Sequence, residues 1–187
     1  MKKVFGVATC DLTGVRGTKP YSTWKNMLRR CYSHYDYNQA SYEGCTVTSE
    51  WLLYSTFKQW FDENYVEGYA LDKDIIKKNN LLYSPDTCCF VPQEINALLI
   101  KGKRRRGTLP IGIILYPRNR YKKYQVQVKG RIPYCVGYFY TIKEAFQAYK
   151  REKEKIIKER ATKYFQEGKI THRVYQALME YQVEITD

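Results

Sequence analysis

The spacing of apolar residues predicts two helices in the first third of the chain. Apolar side chains recur at the i, i+3, i+4, i+7 and i+8 positions of a helix, and this first series is Trp24, Met27, Leu28, Cys31 and Tyr32. Ser22 or Thr23 is its candidate N-cap. After a short extended stretch over residues 45–48, Ser49 is expected to cap a second helix, whose apolar residues are Trp51, Tyr54, Phe57, Trp60 and Phe61.

From residue 70 onward the pattern changes to short extended segments separated by turns. Residues 71–76 and 88–91 predict strands, and residues 77–80 and 84–86 predict turns. Pro92 then opens a helix over residues 93–101, because proline fits the first helical position. The predicted order is strand, loop, strand, helix.

The second half of the chain predicts a sheet followed by helices. The strands are expected over residues 111–115, 123–129 and 131–139, with Lys129-Gly130 as a tight turn between the last two. Thr141 and Glu144 have the spacing of a capping box, which begins a long helix that ends at Gly168. Thr171 caps a final helix. The expected fold class is α+β: a helical and ββα module, then a three-stranded antiparallel sheet with one packing helix and a C-terminal helix.

Strand alternation assigns the two faces of this sheet. Tyr124, Val126 and Val128 share one face, which is expected to pack on the long helix through Ala145, Phe146, Ala148 and Tyr149. The opposite face is polar and expected to be open, because a single helix covers only one side of a small sheet. By the same count it carries Gln125, Gln127, Lys129, Arg131, Pro133 and Cys135.

The charge distribution separates two modules. The net charge of the chain is +13, and residues 1–100 hold 11 basic and 11 acidic residues, whereas residues 101–187 hold 21 basic and 8 acidic ones. We therefore expect a neutral module over residues 1–100, a basic linker over 101–108 and a basic module over 109–187. A strongly basic module is typical of proteins that bind a polyanion.

The basic residues are placed where they could contact nucleic acid. Lysine and arginine neutralise phosphates, and glutamine can bond the edge of adenine. The candidate DNA-binding residues are Arg104, Arg105 and Arg106 in the linker, Arg118, Arg120, Lys122 and Lys123 before the second strand, and Gln125, Gln127, Lys129 and Arg131 along the sheet. A half-exposed sheet with solubilising charges is the alternative interpretation. Tyrosines that stack on single-stranded bases keep a single-strand preference open.

The basic module resembles a known family. The segments Tyr124-Gln-Val-Gln-Val128, Lys129-Gly130, Val136-Gly-Tyr-Phe139 and Thr141-x-x-Glu-Ala145-x-x-Ala148-Tyr149 are similar to the ethylene-response-factor (AP-two) DNA-binding domain. The resemblance implies a three-stranded sheet in the DNA major groove, with Gln125, Gln127, Lys129, Pro133 and Cys135 facing the DNA. It does not carry over that family's sequence preference, since Pro133 and Cys135 stand where the plant members place arginine and tryptophan.

The neutral module resembles the HNH (ββα-metal) motif of phage and homing endonucleases. The resemblance rests on Leu71-Asp-Lys73, Tyr83-Ser-Pro-Asp-Thr-Cys88 and Asn96. It implies catalytic roles for Asp72, Lys73 and Asn96, and Mg²⁺ or Mn²⁺ ligands among Asp72, Asp74, Asp86 and Asn96, if the module is an active nuclease. Lys73 stands where the family has histidine, and an ordinary lysine is a poor base at pH 7. A non-cleaving scaffold and an altered nuclease therefore both remain open.

Together these observations predict a phage protein that binds double-stranded DNA in the cytoplasm of a bacterial host. No apolar run is long enough for a membrane span or a signal peptide, so neither a membrane partner nor secretion is expected. No small-molecule substrate is expected, and no cofactor is certain. The alternatives are a metal-dependent nickase that uses Asp72 and Asn96, and a phage protein that binds and modulates a host nucleic-acid enzyme.

Overall fold

The computed structural model describes residues 3–33, 42–100, 108–116, 121–129 and 133–187. It confirms the α+β class. The chain divides into two compact units, Met1–Val91 and Pro92–Asp187. The predicted boundary lay after residue 100, but the helix that follows Pro92 packs on the long C-terminal helix and so belongs to the second unit.

The first unit combines helices with two small two-stranded sheets. The elements are α1 (Lys19–Tyr32), β1 (Thr46–Val47), a 3-10 helix (Ser49–Leu52), α2 (Tyr54–Asn64), β2 (Tyr69–Asp72), β3 (Leu82–Tyr83) and β4 (Cys89–Pro92), the last of which leads into the second unit. Strand β1 pairs in parallel with β3, and β2 pairs with β4.

Helix α1 contains the predicted apolar face but begins earlier than expected. Its N-cap is Thr18, whose side chain accepts the backbone N–H of Tyr21. Neither Ser22 nor Thr23 caps it; Thr23 instead lies within the helix and donates its hydroxyl to the carbonyl of Lys19. The helix starts one turn earlier because Pro20 is compatible with the first turn, where no backbone N–H is needed.

The core of the first unit is aromatic. Trp24, Trp51, Tyr54 and Phe57 are fully buried, and the indole N–H of Trp24 donates to the backbone carbonyl of Trp51 at 2.7 Å. The predicted second helix is interrupted at Leu53, which is extended and separates the 3-10 helix from α2, so Ser49 does not cap α2. Two backbone bonds hold this break in place: the N–H of Thr9 donates to the carbonyl of Leu52, and the N–H of Tyr54 donates to the carbonyl of Thr9.

The second unit is a three-stranded antiparallel sheet backed by helices. Its elements are α3 (Gln93–Leu98), β5 (Ile113–Leu115), β6 (Tyr124–Val128), β7 (Tyr134–Phe139), α4 (Ile142–Gln166) and α5 (His172–Met179). The strand order is β5-β6-β7, and α4 packs on the sheet and on α5. Gly130 of the predicted Lys129-Gly130 turn lies outside the described residues, as do the first two residues of the predicted third strand.

Local signals at the helix ends of this unit are confirmed. The Thr141 hydroxyl accepts the N–H of Glu144 while the Glu144 carboxylate accepts the N–H of Thr141, which is the predicted capping box. Gly168 follows α4 with φ +67°, and Thr171 caps α5. Gly112 allows α4 to approach the sheet closely, because a Cβ at this position would lie 2.1 Å from the ring of Tyr149 on α4.

Candidate nucleic-acid interface

The sheet has one covered and one open face, as the alternation of β6 predicts. Val126 and Val128 are fully buried, as are Ala145 and Tyr149 of α4 opposite them. Gln125 and Gln127 are partly exposed, and Lys129 is exposed. The predicted apolar contacts with α4 are therefore confirmed, and the two glutamines lie on the side that α4 does not cover.

A β-bulge in β7 changes which residues share the open face. Gln125 pairs with Tyr138 and Gln127 pairs with Cys135, so that one additional β7 residue lies between these two pairs. Strict alternation would place Cys135 and Tyr138 on opposite faces, but the bulge brings them to the same one. The Gln125 side-chain amide accordingly lies 3.4 Å from the Cys135 sulfur and donates to the Tyr138 hydroxyl at 3.2 Å.

The position of Tyr134 on the covered face agrees with this β6–β7 register. Tyr134 pairs directly with the buried Val128, and its hydroxyl donates to Glu152 of α4. This carboxylate holds the pKa of Tyr134 above its ordinary value, at about 12. Tyr134 is therefore tied to the helix side and is not part of the open face.

Two aromatic rings add to the open face and were missed by sequence reasoning. The rings of Tyr116 and Tyr138 lie with centroids 5.2 Å apart, and Tyr138 is 37% exposed. Ile114 pairs with Gln125 and is also exposed. We define the open face as Ile114, Tyr116, Gln125, Gln127, Cys135 and Tyr138. The only sequence signal for the bulge is Gly137, which by itself does not specify one.

Cations flank the open face at the ends of β6. Lys122 and Lys123 precede the strand and Lys129 follows it, and all three are exposed. The Lys122 ammonium lies 5.4 Å from the centre of the Tyr140 ring, and the backbone of Lys123 extends the β5–β6 pairing by accepting the N–H of Tyr116. The other predicted DNA-binding residues, Arg104, Arg105, Arg106, Arg118, Arg120 and Arg131, lie outside the described residues.

Lys73, one of the three residues predicted to be catalytic, forms a polar network with Asp74 and Asn80 in the first unit. Lys73 is only 7% exposed. Its ammonium donates to both carboxylate oxygens of Asp74, at 2.8 and 2.9 Å, and to the backbone carbonyl of Asn80 at 2.5 Å. The amide of Asn80 in turn donates to the carbonyls of Lys73 and Leu82. The Lys73 side chain thus organises the loop between β2 and β3.

Asp72 has a similar local role. One of its carboxylate oxygens accepts the backbone N–H groups of Asp74 and Ile75, at 2.7 and 2.8 Å. These bonds turn the chain, which is why β2 ends at Asp72 and the predicted strand over residues 71–76 does not continue. Burial raises the pKa of this carboxyl, against the lowering effect of the two backbone bonds.

The candidate metal ligands belong to both units. Asp72, Asp74 and Asp86 lie in the first unit, and Asn96 lies on α3 in the second. The Asp74 carboxylate already neutralises the ammonium of Lys73, a cation in the place where a metal ion would need a negative ligand. In the parts of the chain that the structure covers, no cluster of three histidine, cysteine or acidic side chains could hold a metal. Mg²⁺ or Mn²⁺ stays a prediction, and we derive no step through it.

Comparison of the chain with protein-family models, with curated proteins and with solved structures gives no match. The resemblances to the two DNA-associated families therefore remain expectations. None of the described helices is long and apolar enough to cross a membrane.

Proposed function

We propose that this protein binds double-stranded DNA through the open face of its three-stranded sheet. The observation that carries the proposal is that α4 covers one side of the sheet and leaves Gln125 and Gln127 partly exposed on the other. A two- or three-stranded ribbon is narrow enough to enter a major groove, where glutamine amides can bond base edges. Lys122, Lys123 and Lys129 would contact the phosphates on either side.

The bulge supports this proposal because it concentrates hydrogen-bonding groups on the open face. The Gln125 amide is within hydrogen-bond distance of both Cys135 and Tyr138, so it is oriented before any ligand arrives. An oriented side chain loses less conformational entropy when it binds. The charge of residues 101–187, with 21 basic and 8 acidic residues, would attract the duplex over a longer range.

The test is duplex binding measured by fluorescence anisotropy over a range of salt concentrations. We expect the affinity of the wild-type protein to fall steeply with salt, because phosphate contacts release counterions. Lys122→Gln/Lys123→Gln should reduce the steepness of the log–log plot by about 2, one for each cation lost. The matched control is Lys58→Gln/Lys169→Gln, which removes the same charge from two lysines that are paired with Asp62 and Glu167.

A second pair of variants tests the open face itself. Gln125→Leu/Gln127→Leu should weaken binding to a duplex that the wild-type protein selects from a random-sequence pool, while leaving the salt dependence unchanged, because base contacts carry no counterion release. Affinity that is indifferent to salt and to both pairs of variants would refute the proposal. The nickase and the modulator of a host enzyme stay predictions, since no contact among the described residues favours either; a plasmid-cleavage assay with Mg²⁺ or Mn²⁺ addresses the first.

A further inference from the structure

Helix α1 has an exposed basic face, although residues 1–100 as a whole have no net charge. Its inner side buries Trp24, Met27 and Leu28. The opposite side is exposed, and with the preceding turn we call it the α1 outer face: Arg16, Lys19, Ser22, Lys25, Asn26 and Arg29. Between Asp11 and Asp36 the chain contains five basic residues and no acidic one, so this face carries charge of a single sign.

The neighbouring helix α2 shows what a merely solvated face looks like in the same unit. On α2, Lys58 is paired with Asp62 and the Gln59 amide donates to Glu63, both at i, i+4 spacing. Mixed charges of this kind serve solubility and stabilise a helix. Helix α1, by contrast, has no acidic residue in its first turn and has two arginines in its last turn. Solubility alone does not require charges of a single sign.

An open groove runs along this basic face. It is lined by Arg16, Gly17, Tyr21, Ser22, Lys25 and Asn26. Guanidinium, ammonium, hydroxyl and amide groups can all donate hydrogen bonds, and the lining contains no carboxylate that would repel an anion. Such a set suits phosphate oxygens, which accept hydrogen bonds and carry negative charge.

The length of the α1 outer face also suits a nucleic-acid backbone. Lys19 and Arg29 are ten residues apart in α1, which is roughly 15 Å along a helix. This length corresponds to about four base-pair steps of roughly 3.4 Å each, enough to meet several successive phosphates. We propose that the α1 outer face is a second DNA-binding surface, which contacts the phosphate backbone of a duplex without reading its sequence; the choice of duplex DNA rests on the proposed function.

The experiment compares Lys19→Gln/Lys25→Gln with Lys58→Gln/Lys169→Gln in the full-length chain. Both pairs remove the same charge, and all four lysines are solvent-accessible, so thermal melting should show unchanged folding. The probe is a fluorescein-labelled duplex of random sequence, titrated at several salt concentrations. We expect the variant of the α1 outer face to bind more weakly, with a log–log salt slope less steep by about 2, while the control retains the wild-type slope.

The outcomes separate this inference from the proposed function. If Lys19→Gln/Lys25→Gln behaves like the control while Lys122→Gln/Lys123→Gln loses affinity, the α1 outer face is not a DNA surface and the sheet proposal stands. If only the α1 variant loses affinity, the sheet proposal fails and this inference stands. Equal loss of affinity in the Lys58→Gln/Lys169→Gln control, or no effect in any variant, would overturn the inference.

Discussion

Lys73 and Asn80 bond each other across the loop between β2 and β3. The Lys73 ammonium donates to the backbone carbonyl of Asn80, and the Asn80 amide donates to the backbone carbonyl of Lys73 at 3.1 Å. Both residues are buried. The lysine that sequence reasoning places at a catalytic position therefore closes a loop, and its side chain has its acceptors within the protein.

This relationship predicts a stability cost at Lys73. Lys73→Met should lower the free energy of unfolding by roughly 2 kcal/mol, because the Asn80 carbonyl is left without its donor in a buried site. Lys77→Met, a change of the same type at an exposed position in the same loop, should be close to neutral. Urea denaturation followed by tryptophan fluorescence measures both. Equal stability of the two variants would show that the loop does not depend on the ammonium.

Asp72 should be replaceable by asparagine but not by alanine. An asparagine oxygen can still accept the N–H groups of Asp74 and Ile75, whereas alanine leaves both without a partner. Because burial raises the folded-state pKa of Asp72, the folded protein holds this proton more tightly than the unfolded chain. The carboxyl therefore contributes more stability when protonated, and that contribution falls as the pH rises from the unfolded pKa through the raised one.

At neutral pH, Asp72→Asn should thus be at least as stable as the wild type, and Asp72→Ala should be less stable by about 1–2 kcal/mol. Thermal melts at pH 7 and at acidic pH measure the difference. An Asn variant as unstable as the Ala variant would contradict the assigned role. The same Asn variant serves the nuclease hypothesis, since it should retain its fold while losing any activity that needs a carboxylate.

The buried Lys153 gives a second expected pH dependence, in which the contribution to stability rises with pH, whereas that of Asp72 falls. It lies on the sheet side of α4 and is 7% exposed, and burial, with a further contribution from Lys129, lowers its pKa to about 8. Below that pH the folded state must hold a desolvated ammonium. Between about pH 8 and the ordinary value of 10.5 the unfolded chain binds more protons than the folded one, so this group's contribution to stability improves as the pH rises through that window.

Lys153→Met should therefore stabilise the protein at pH 7, by at most roughly 3 kcal/mol for a shift of this size. The gain of the variant over the wild type should shrink as the pH rises from about 8 to 10.5. Comparing the two proteins at each pH cancels the titration of the tyrosines and cysteines that they share. A stability difference that stays constant across this window would rule out the buried ammonium as its cause.

Cys135 offers a direct probe of the open face. It is exposed, whereas Cys45 and Cys88 are buried and burial raises the pKa of Cys88 to about 12. N-ethylmaleimide should therefore modify Cys135 well before Cys88 in the free protein, because the thiolate is the reactive form. If the open face contacts DNA, a saturating duplex should slow modification of Cys135. Peptide mass spectrometry measures the rate at each cysteine.

The control for this footprint is Cys10, which is partly exposed and belongs neither to the open face nor to the α1 outer face. Its modification should respond to DNA less than that of Cys135. Unchanged labelling of Cys135 at saturating duplex would contradict contact through the open face, whatever the affinity of the complex.

Much of this fold could be predicted from local patterns in the sequence. The alternation along β6 correctly separated Val126 and Val128 from Gln125 and Gln127, because the period of a strand is a property of the backbone itself. The capping box of Thr141 and Glu144 and the cap at Thr171 were likewise predictable, since each involves groups three residues apart. The apolar face of α1 was correct, although its cap lay a turn earlier, at Thr18.

The sequence by itself therefore determined the class of fold, the covered and exposed sides of β6 and the concentration of positive charge in the second half. Only the tertiary structure decided three further points: that a bulge brings Tyr138 beside Gln125, that Lys73 is buried against Asn80, and that α3 packs with the second unit. Each of these depends on contacts between residues that are distant in the chain or on a register that two strands choose together. A local pattern of hydrophobic and polar residues contains no information about such partners.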